Sequence, residues 1–338
     1  MITTTTLNSD GQPAPNSRSN SHPRVTIGMP VFNGEKFISQ ALDSALGQTF
    51  SDLEIIISDN ASTDGTEEIC RSYAERDSRI RYCRSDVNRG AAWNHNRVFE
   101  LARGEYFKWW SHDDLCAPEF LEECVSALDG DPGVVLCSSR TQIVDADRNP
   151  VTKYKVPAMT HMDSPRAYQR FHGAICPNHW CFEVYGLSRA ATLRQTPLIA
   201  SYTGSDRALL GDLALRGRFY EIPSFGLFNR DHPSRSIRTY SPYTAGAWYD
   251  PRLAGKISLL NWRRLLEHAR SVSRSGLSWW ERVCCYAQLL PFCLRWRRAL
   301  ARDMVVAAKT ICLRVSLRGD SASRVVHGDK ARKSERRV

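Results

Sequence analysis

No run of this sequence approaches the roughly 20 apolar residues that a membrane-spanning helix needs; uncharged stretches such as Val283–Leu294 reach about a dozen. The first 23 residues are rich in Thr, Ser, Asn and Pro and lack an apolar segment, so they read as a disordered tail and not a secretory signal. Glycine-rich phosphate cradles are missing too. Neither G-x-x-x-x-G-K-[ST] nor G-x-G-x-x-G occurs, so a bound nucleotide needs another device to hold its phosphates. The 11 cysteines are odd in number and scattered over 338 residues, which excludes a disulfide scaffold and fits buried thiols in a reducing compartment. No internal repeat is visible.

A chain that is 42% hydrophobic can bury a substantial core, and its length suits one large domain with an appendage. The net charge of +10 suggests a polyanion or a lipid surface as partner. That charge is unevenly placed. Residues 252–338 hold 20 basic and 6 acidic residues, whereas residues 1–251 hold 26 basic and 30 acidic. A mildly acidic body therefore carries a strongly basic C-terminal segment.

Apolar spacing predicts strands at Val25–Met29, Leu53–Ser58, Ile80–Cys83, Tyr106–Trp110 and Val134–Ser138. Helices are predicted near Phe37–Leu46, Asp64–Glu75 and Ala91–Leu101, and after Pro118, with Asp64 and Glu67 at capping-box spacing. This alternation argues for an α/β domain with a mainly parallel sheet. Beyond Asn149 the rhythm weakens. Helices are expected near Arg166–Phe171 and Ser205–Leu215, with strands near Phe182–Leu187, Phe219–Ile222 and Phe225–Asn229. From Leu253 to about Leu317 the pattern is helical and Arg-rich.

In a parallel sheet, ligands bind beyond the carboxyl ends of the strands. Four polar segments fall there: Pro30–Glu35, Ser58–Thr66, Asn88–Gly90 and Ser111–Asp114. The Asp113-Asp114 pair could hold a divalent ion that keeps positions open for a diphosphate. In isolation the same pair reads first as a cap for the following helix.

Taken together these segments resemble family 2 glycosyltransferases of the GT-A fold. Val25–Glu35 is similar to the family's opening strand and loop, and Glu54–Thr66 to its second strand and nucleotide loop. Asn88-Arg89-Gly90, followed by Asn94 and Asn96, is similar to its Asn-x-Gly helix start. Ser111-His112-Asp113-Asp114 stands in the place of its metal-binding Asp-x-Asp region. The resemblance implies a GT-A (Rossmann-like) domain at residues 24–250, in which Pro30, Phe32, Glu35 and Asp59 line the nucleoside pocket with Asn88 and Gly90 beside it. It puts Asp113 and Asp114 next to the diphosphate with Mg²⁺ or Mn²⁺, and Asp114 is the preferred metal ligand. Ser111 departs from the family's commoner Asp and leaves one carboxylate fewer.

On the acceptor side, Tyr185–Arg189 is similar to the segment crossing under the acceptor site, and Asp206 stands in the place of the catalytic base. A carboxylate there suits displacement at an anomeric carbon, which needs a proton acceptor for the incoming hydroxyl. The resemblance also makes His232 a candidate contact for the metal or diphosphate. His172, Cys176, His179 and Cys181 fit no common zinc spacing. Trp109-Trp110 reads as core strand before a sugar-stacking platform, although Trp110, nearest the carboxylates, could reach the acceptor.

The expected activity is inverting transfer of a sugar from a nucleotide-diphosphate sugar to a hydroxyl of a glycan or lipid-linked acceptor, in cell-surface polysaccharide or glycolipid synthesis. Alternatives are transfer to a polyprenyl phosphate, or a non-catalytic membrane or assembly adaptor. Residues 251–318 are expected as an amphipathic basic helical extension. Residues 277–318 could meet an anionic membrane or simply pack on the domain, and 319–338 form a flexible tail. The expected location is cytoplasmic, peripheral on the inner face of the membrane. Nucleic acid is not an expected partner, for want of a binding motif.

Overall fold

The computed structural model describes residues 22–151, 159–233, 235, 245–257 and 259–334, with side chains as far as 312. Its first half alternates as the apolar spacing requires: β1 (Val25–Val31), α1 (Ile38–Leu46), β2 (Leu53–Asp59), α2 (Thr66–Arg76), β3 (Ile80–Arg84), α3 (Ala91–Glu100), β4 (Tyr106–Trp109), β5 (Leu115–Cys116), α4 (Phe120–Gly130) and β6 (Val134–Val144). There follow α5 (Ala167–Ile175), a 3₁₀ turn (Phe182–Tyr185), β7 (Leu187–Arg189), α6 (Ala190–Leu193), α7 (Ser205–Arg216), β8 (Arg218–Arg230), α8 (Gly246–Tyr249), α9 (Leu260–Arg274), α10 (Trp279–Ala287) and α11 (Leu289–Ser334).

Eight strands form one sheet in the order β3-β2-β1-β4-β7-β6-β8-β5. The β3-β2-β1-β4 half is parallel, while β7 runs antiparallel to both β4 and β6. The sheet is thus mixed where a mainly parallel one was expected, because short β7 reverses direction between the two halves. Every residue of β1 and β2 is buried, as a strand covered on both faces must be. Ile55 and Ile57 point into a core shared with α1 and α4; Ile56 points into a second core shared with α3, α5 and α7.

Three local expectations change. Phe182–Tyr185 is a 3₁₀ turn and not a strand, entered through Cys181 at φ +61°. The two strands expected around Pro223 are one continuous strand, β8, whose register with β6 shifts on either side of Arg140. Asp64 does not form the capping box: α2 begins after Gly65, and the Asp64 carboxylate accepts hydrogen bonds from Glu35 N and from Thr66.

The basic C-terminal segment is built into the fold. Val272 of α9, Cys285 of α10 and Phe292 of α11 are buried in the second core with Phe171, Leu210 and Leu213. Asp303 of α11 caps α9 from outside, accepting the N–H groups of Asn261 and Trp262 at 2.6 and 3.4 Å. α11 continues to Ser334, into the region expected to be loose.

Candidate active site

The donor-side loops are stitched together mainly by backbone groups. Asn60 N donates to Val31 O at 3.0 Å, Asn33 N to Ser62 Oγ at 2.9 Å, and Gly34 N to Thr66 Oγ1 at 2.8 Å. Glu35 Oε2 accepts from Gly65 N at 2.7 Å. Asp59 is wholly buried: Oδ1 accepts Ser62 N at 2.8 Å and Oδ2 accepts the Tyr82 hydroxyl at 2.7 Å. Asn94 ties β1, β2 and α3 together by donating to Val31 O and Ser58 O. Phe32 is the exposed aromatic of this edge, at 41%.

Asn88 and Gly90 shape the start of α3. Asn88 Oδ1 accepts from Asn60 Nδ2 and from Gly90 N, both at 2.9 Å. Gly90 sits at φ +91°, and a Cβ there would lie 2.3 Å from Tyr249 O. Only glycine serves both the left-handed backbone and the close approach of α8.

The acidic pair divides between two settings. Asp114 is buried, its carboxylate accepting from Asn229 Nδ2 at 2.9 and 3.1 Å and from Arg230 N at 2.8 Å. Burial and the neighbouring Asp113 charge push it up to about 7, against those hydrogen bonds. Asp113 is also shielded, but the nearby His112 and hydrogen bonds from His232 and Ser111 hold it below the usual carboxylate range. Asp113 Oδ2 lies 2.9 Å from His232 Nε2, and the imidazole packs on Phe37. Arg230 braces the same turn, donating to Asp113 O at 2.9 Å. Ser111, at the departure from the family pattern, bonds Asp113 Oδ1.

A cavity of about 680 Å³ opens beside this pair and runs to the start of α7. Its walls include Asp113, Asp114, Trp109, Tyr185, Asp206, Arg207, Trp248, Tyr249 and Arg264. Asp206 is at the second position of α7, after Gly204 at φ +87°. It accepts Arg207 N at 2.7 Å and does not cap the helix, the N-cap being Gly204. Burial raises its pKa, opposed by Arg207 and Arg264. Asp212 is buried elsewhere on α7, paired with Arg216. His179 is the neutral Nε2–H tautomer, donating to Ala174 O and accepting Cys181 N, and burial takes its pKa down to about 4.

Asp113, Asp114 and Asp206, 92 residues apart in sequence, thus share one cavity, with His232 against Asp113. Pro30, Phe32, Glu35, Asp59, Asn88 and Gly90 lie outside its walls, at the adjoining strand ends. Both tryptophans are buried, as a core strand requires: Trp109 packs in the second core and reaches the cavity, and Trp110 lies in the first core with Nε1 donating to Asp114 O. Alternation along β4 decides this, since consecutive residues face opposite sides. Arg264, Trp248 and Tyr249 were not anticipated, because only tertiary packing brings them to this wall.

Among the described residues no group of three or more His, Cys, Asp or Glu could hold a metal ion. Asp113 and His232 are two adjacent hard-to-borderline donors, a set that fits Mg²⁺ or Mn²⁺ sharing its remaining positions with a diphosphate.

A mixed α/β sheet with an acidic turn after β4 and a carboxylate opening a helix across the cavity defines a GT-A glycosyltransferase fold. Residues 26–185, a little under half of the chain, match the sequence model of glycosyl transferase family 2. An uncharacterised glycosyltransferase of Rickettsia typhi is 39% identical over 106 residues, which is 31% of this chain and 32% of the relative. The chain spans about a third or less of the length of the first such relatives. Among solved structures, S. aureus TarS 1-349 in complex with UDP-GlcNAc superposes with a TM-score of 0.59 at 16% identity, covering 80% of this chain and 72% of that one. The mannosyltransferase PcManGT of Pyrobaculum calidifontis, in complex with GDP-Man and Mn²⁺, gives 0.51 at 18%, covering 91% and 81%.

Proposed function

We propose that this protein is an inverting glycosyltransferase that moves a sugar from a nucleotide-diphosphate donor to a hydroxyl of a glycan or lipid-linked acceptor. This is the class of step that builds cell-surface polysaccharide or glycolipid. The observation that carries the reading is that Asp113 and Asp206 line one cavity. In one displacement the acceptor oxygen bonds to the anomeric carbon as the bond to the diphosphate oxygen breaks. The hydroxyl proton passes to the Asp206 carboxylate, and the nucleoside diphosphate leaves with the electron pair. A base whose pKa is raised by burial takes that proton more readily than an ordinary aspartate.

Asp113 with His232 would hold a divalent cation, which supplies charge neutralisation for the departing diphosphate. Asp114, its oxygens occupied by Asn229 and Arg230, fixes the turn that presents Asp113. Phe32 offers a face to the base, and Asp59 a buried carboxylate at the nucleoside end. Titration of full-length protein with UDP, GDP and dTDP, with and without Mn²⁺, tests the donor site. At least one should bind in a divalent-dependent manner; binding of none overturns the reading.

The exposed face of α10 and early α11 supports peripheral binding to an anionic membrane. Trp279 is 73% exposed and Trp280 60%, followed along the surface by Val283, Leu290 and Leu294. Arg295, Arg297, Arg298, Arg302 and Lys309 are exposed nearby, while Asp303, the one acid between residues 282 and 312, is buried. Interfacial tryptophans beside cations, with Glu281 turned back to cap α10 on Ser278, fit the anionic cytoplasmic leaflet. No described helix is long and apolar enough to cross a membrane. Full-length protein should float with phosphatidylglycerol vesicles, and combined Trp279→Ser, Trp280→Ser and Leu290→Ser should abolish flotation; equal flotation discards this surface.

A further inference from the structure

We propose that the acceptor carries an oxyanion, a phosphate or carboxylate close to its reacting hydroxyl, and that Arg264 of α9 binds it. The proposal rests on Asp206 marking the acceptor end of the cavity.

Arg264 is only 9% exposed, yet it lines the cavity, and its Nε is buried without a hydrogen-bond partner. Arg81, Arg84, Arg216 and Arg282 also carry a buried Nε without a hydrogen-bond partner, but of these arginines Arg264 alone lines the cavity, where a ligand can reach it. The group lies beside the base: a Cβ on Gly204, two residues before Asp206, would sit 3.0 Å from Arg264 Cδ and 3.4 Å from Nη1. Ser205, between them, lines the same wall with its buried Oγ also unpartnered.

The neighbouring Arg207 shows what a structural arginine looks like here. Its Nη1 donates to Pro177 O at 2.7 Å and its Nη2 to His179 O at 2.6 Å, so carbonyls absorb it. Arg264 is instead held in place from behind. Nη2 donates to Asn261 Oδ1, Asn261 Nδ2 donates to Asp303 Oδ1 at 2.9 Å, and the guanidinium stacks 4.8 Å over Trp296. All three supports come from α9 and α11, so its direction is set before any ligand arrives.

Charge balance points the same way. Two buried guanidiniums, Arg207 and Arg264, act on the Asp206 carboxylate. Once Asp206 has taken the acceptor proton, that carboxylate no longer offsets them. An anion on the acceptor supplies the missing charge, and guanidinium recognises phosphate and carboxylate through paired N–H groups.

The test uses full-length protein, with and without saturating nucleoside diphosphate and Mn²⁺, and two matched probe pairs followed by NMR titration. sn-Glycerol 3-phosphate is compared with glycerol, and D-glucuronate with D-glucose. In both nucleotide conditions one anionic probe should bind at least 10-fold more tightly than its neutral partner, and which pair shows the preference identifies phosphate or carboxylate. Arg264→Gln should remove the preference while leaving nucleotide affinity unchanged; Arg264→Lys should restore part of it. If Arg264→Gln also disturbs nucleotide binding, Asn261→Ala decides, with an expected threefold or greater loss of preference. Equal affinity for charged and neutral probes, or a preference that survives the deciding variant, overturns the proposal. Failure of the wild type to bind any nucleotide would instead count against the donor reading, since the probes are also titrated alone.

Discussion

The proposed donor loops beside the cavity and the proposed acceptor end within it are built by different means. The donor end is local and parallel: β1, β2 and β4 stop side by side, and the loops that follow them are joined through backbone N–H and C=O groups and short polar side chains. The acceptor end is assembled from distant helices. α3 reaches it through Asn96, whose amide bonds both N and O of Ile199, and α7 and α9 bring Asp206 and Arg264 from residues 58 apart. A backbone-built end tolerates little change and suits the part common to nucleotide donors. A helix-built end changes with each side chain and suits the part that selects an acceptor.

Substitutions should break the two ends differently. The largest effect belongs to Asp206→Asn: transfer should fall roughly 10²–10⁴-fold, the usual range for a lost general base, while nucleotide binding persists. Asp113→Ala should do the reverse, lowering Mn²⁺-dependent nucleotide affinity by about tenfold or more and abolishing its divalent dependence, as read by calorimetry. Gly90→Ala strikes the scaffold between the ends. Its left-handed backbone and a Cβ 2.3 Å from Tyr249 O should cost about 1–3 kcal/mol, measured by denaturant unfolding. Phe32→Ala, at an exposed aromatic, should weaken nucleotide binding only a few-fold, with acceptor affinity unchanged.

The pH dependence separates stability from activity at Asp206. Its folded-state pKa is raised above the unfolded value, so its protonated form is favoured by folding, and that contribution is present at low pH and lost as pH rises through the folded pKa. Turnover should therefore rise with pH through that same pKa as the base ionises. Asp206→Asn should melt at a higher temperature than wild type at pH 7, and the difference should vanish at acid pH. A lower melting temperature at pH 7 would show that the carboxylate is not strained by burial.

Sequence showed the donor end well because its information is local. Buried strands such as Ile55-Ile56-Ile57 announce themselves by composition, and the polar residues after them fall at strand ends by necessity. Asp206 was legible only through its resemblance in position and its place at a helix start. Arg264 was hidden inside an Arg-rich segment that looked like a solvated or lipid-facing surface. Nothing in its neighbours marks this guanidinium as one that lines the cavity; that depends on Val272, Cys285 and Phe292 closing the second core. That Trp109 and not Trp110 reaches the cavity has a related reason, since alternation on a strand is certain but its phase relative to a cavity is set by tertiary contacts. The basic segment therefore has two faces: one completes the cavity wall, and the other, around Trp279 and Trp280, is exposed.

The central claim, a single displacement assisted by Asp206, is tested most directly by the configuration of the first product. With an α-configured nucleotide sugar that binds, hydrolysis followed by proton NMR before mutarotation uses water as the acceptor. The account predicts that the β sugar is released first. Release of the α sugar first would contradict it.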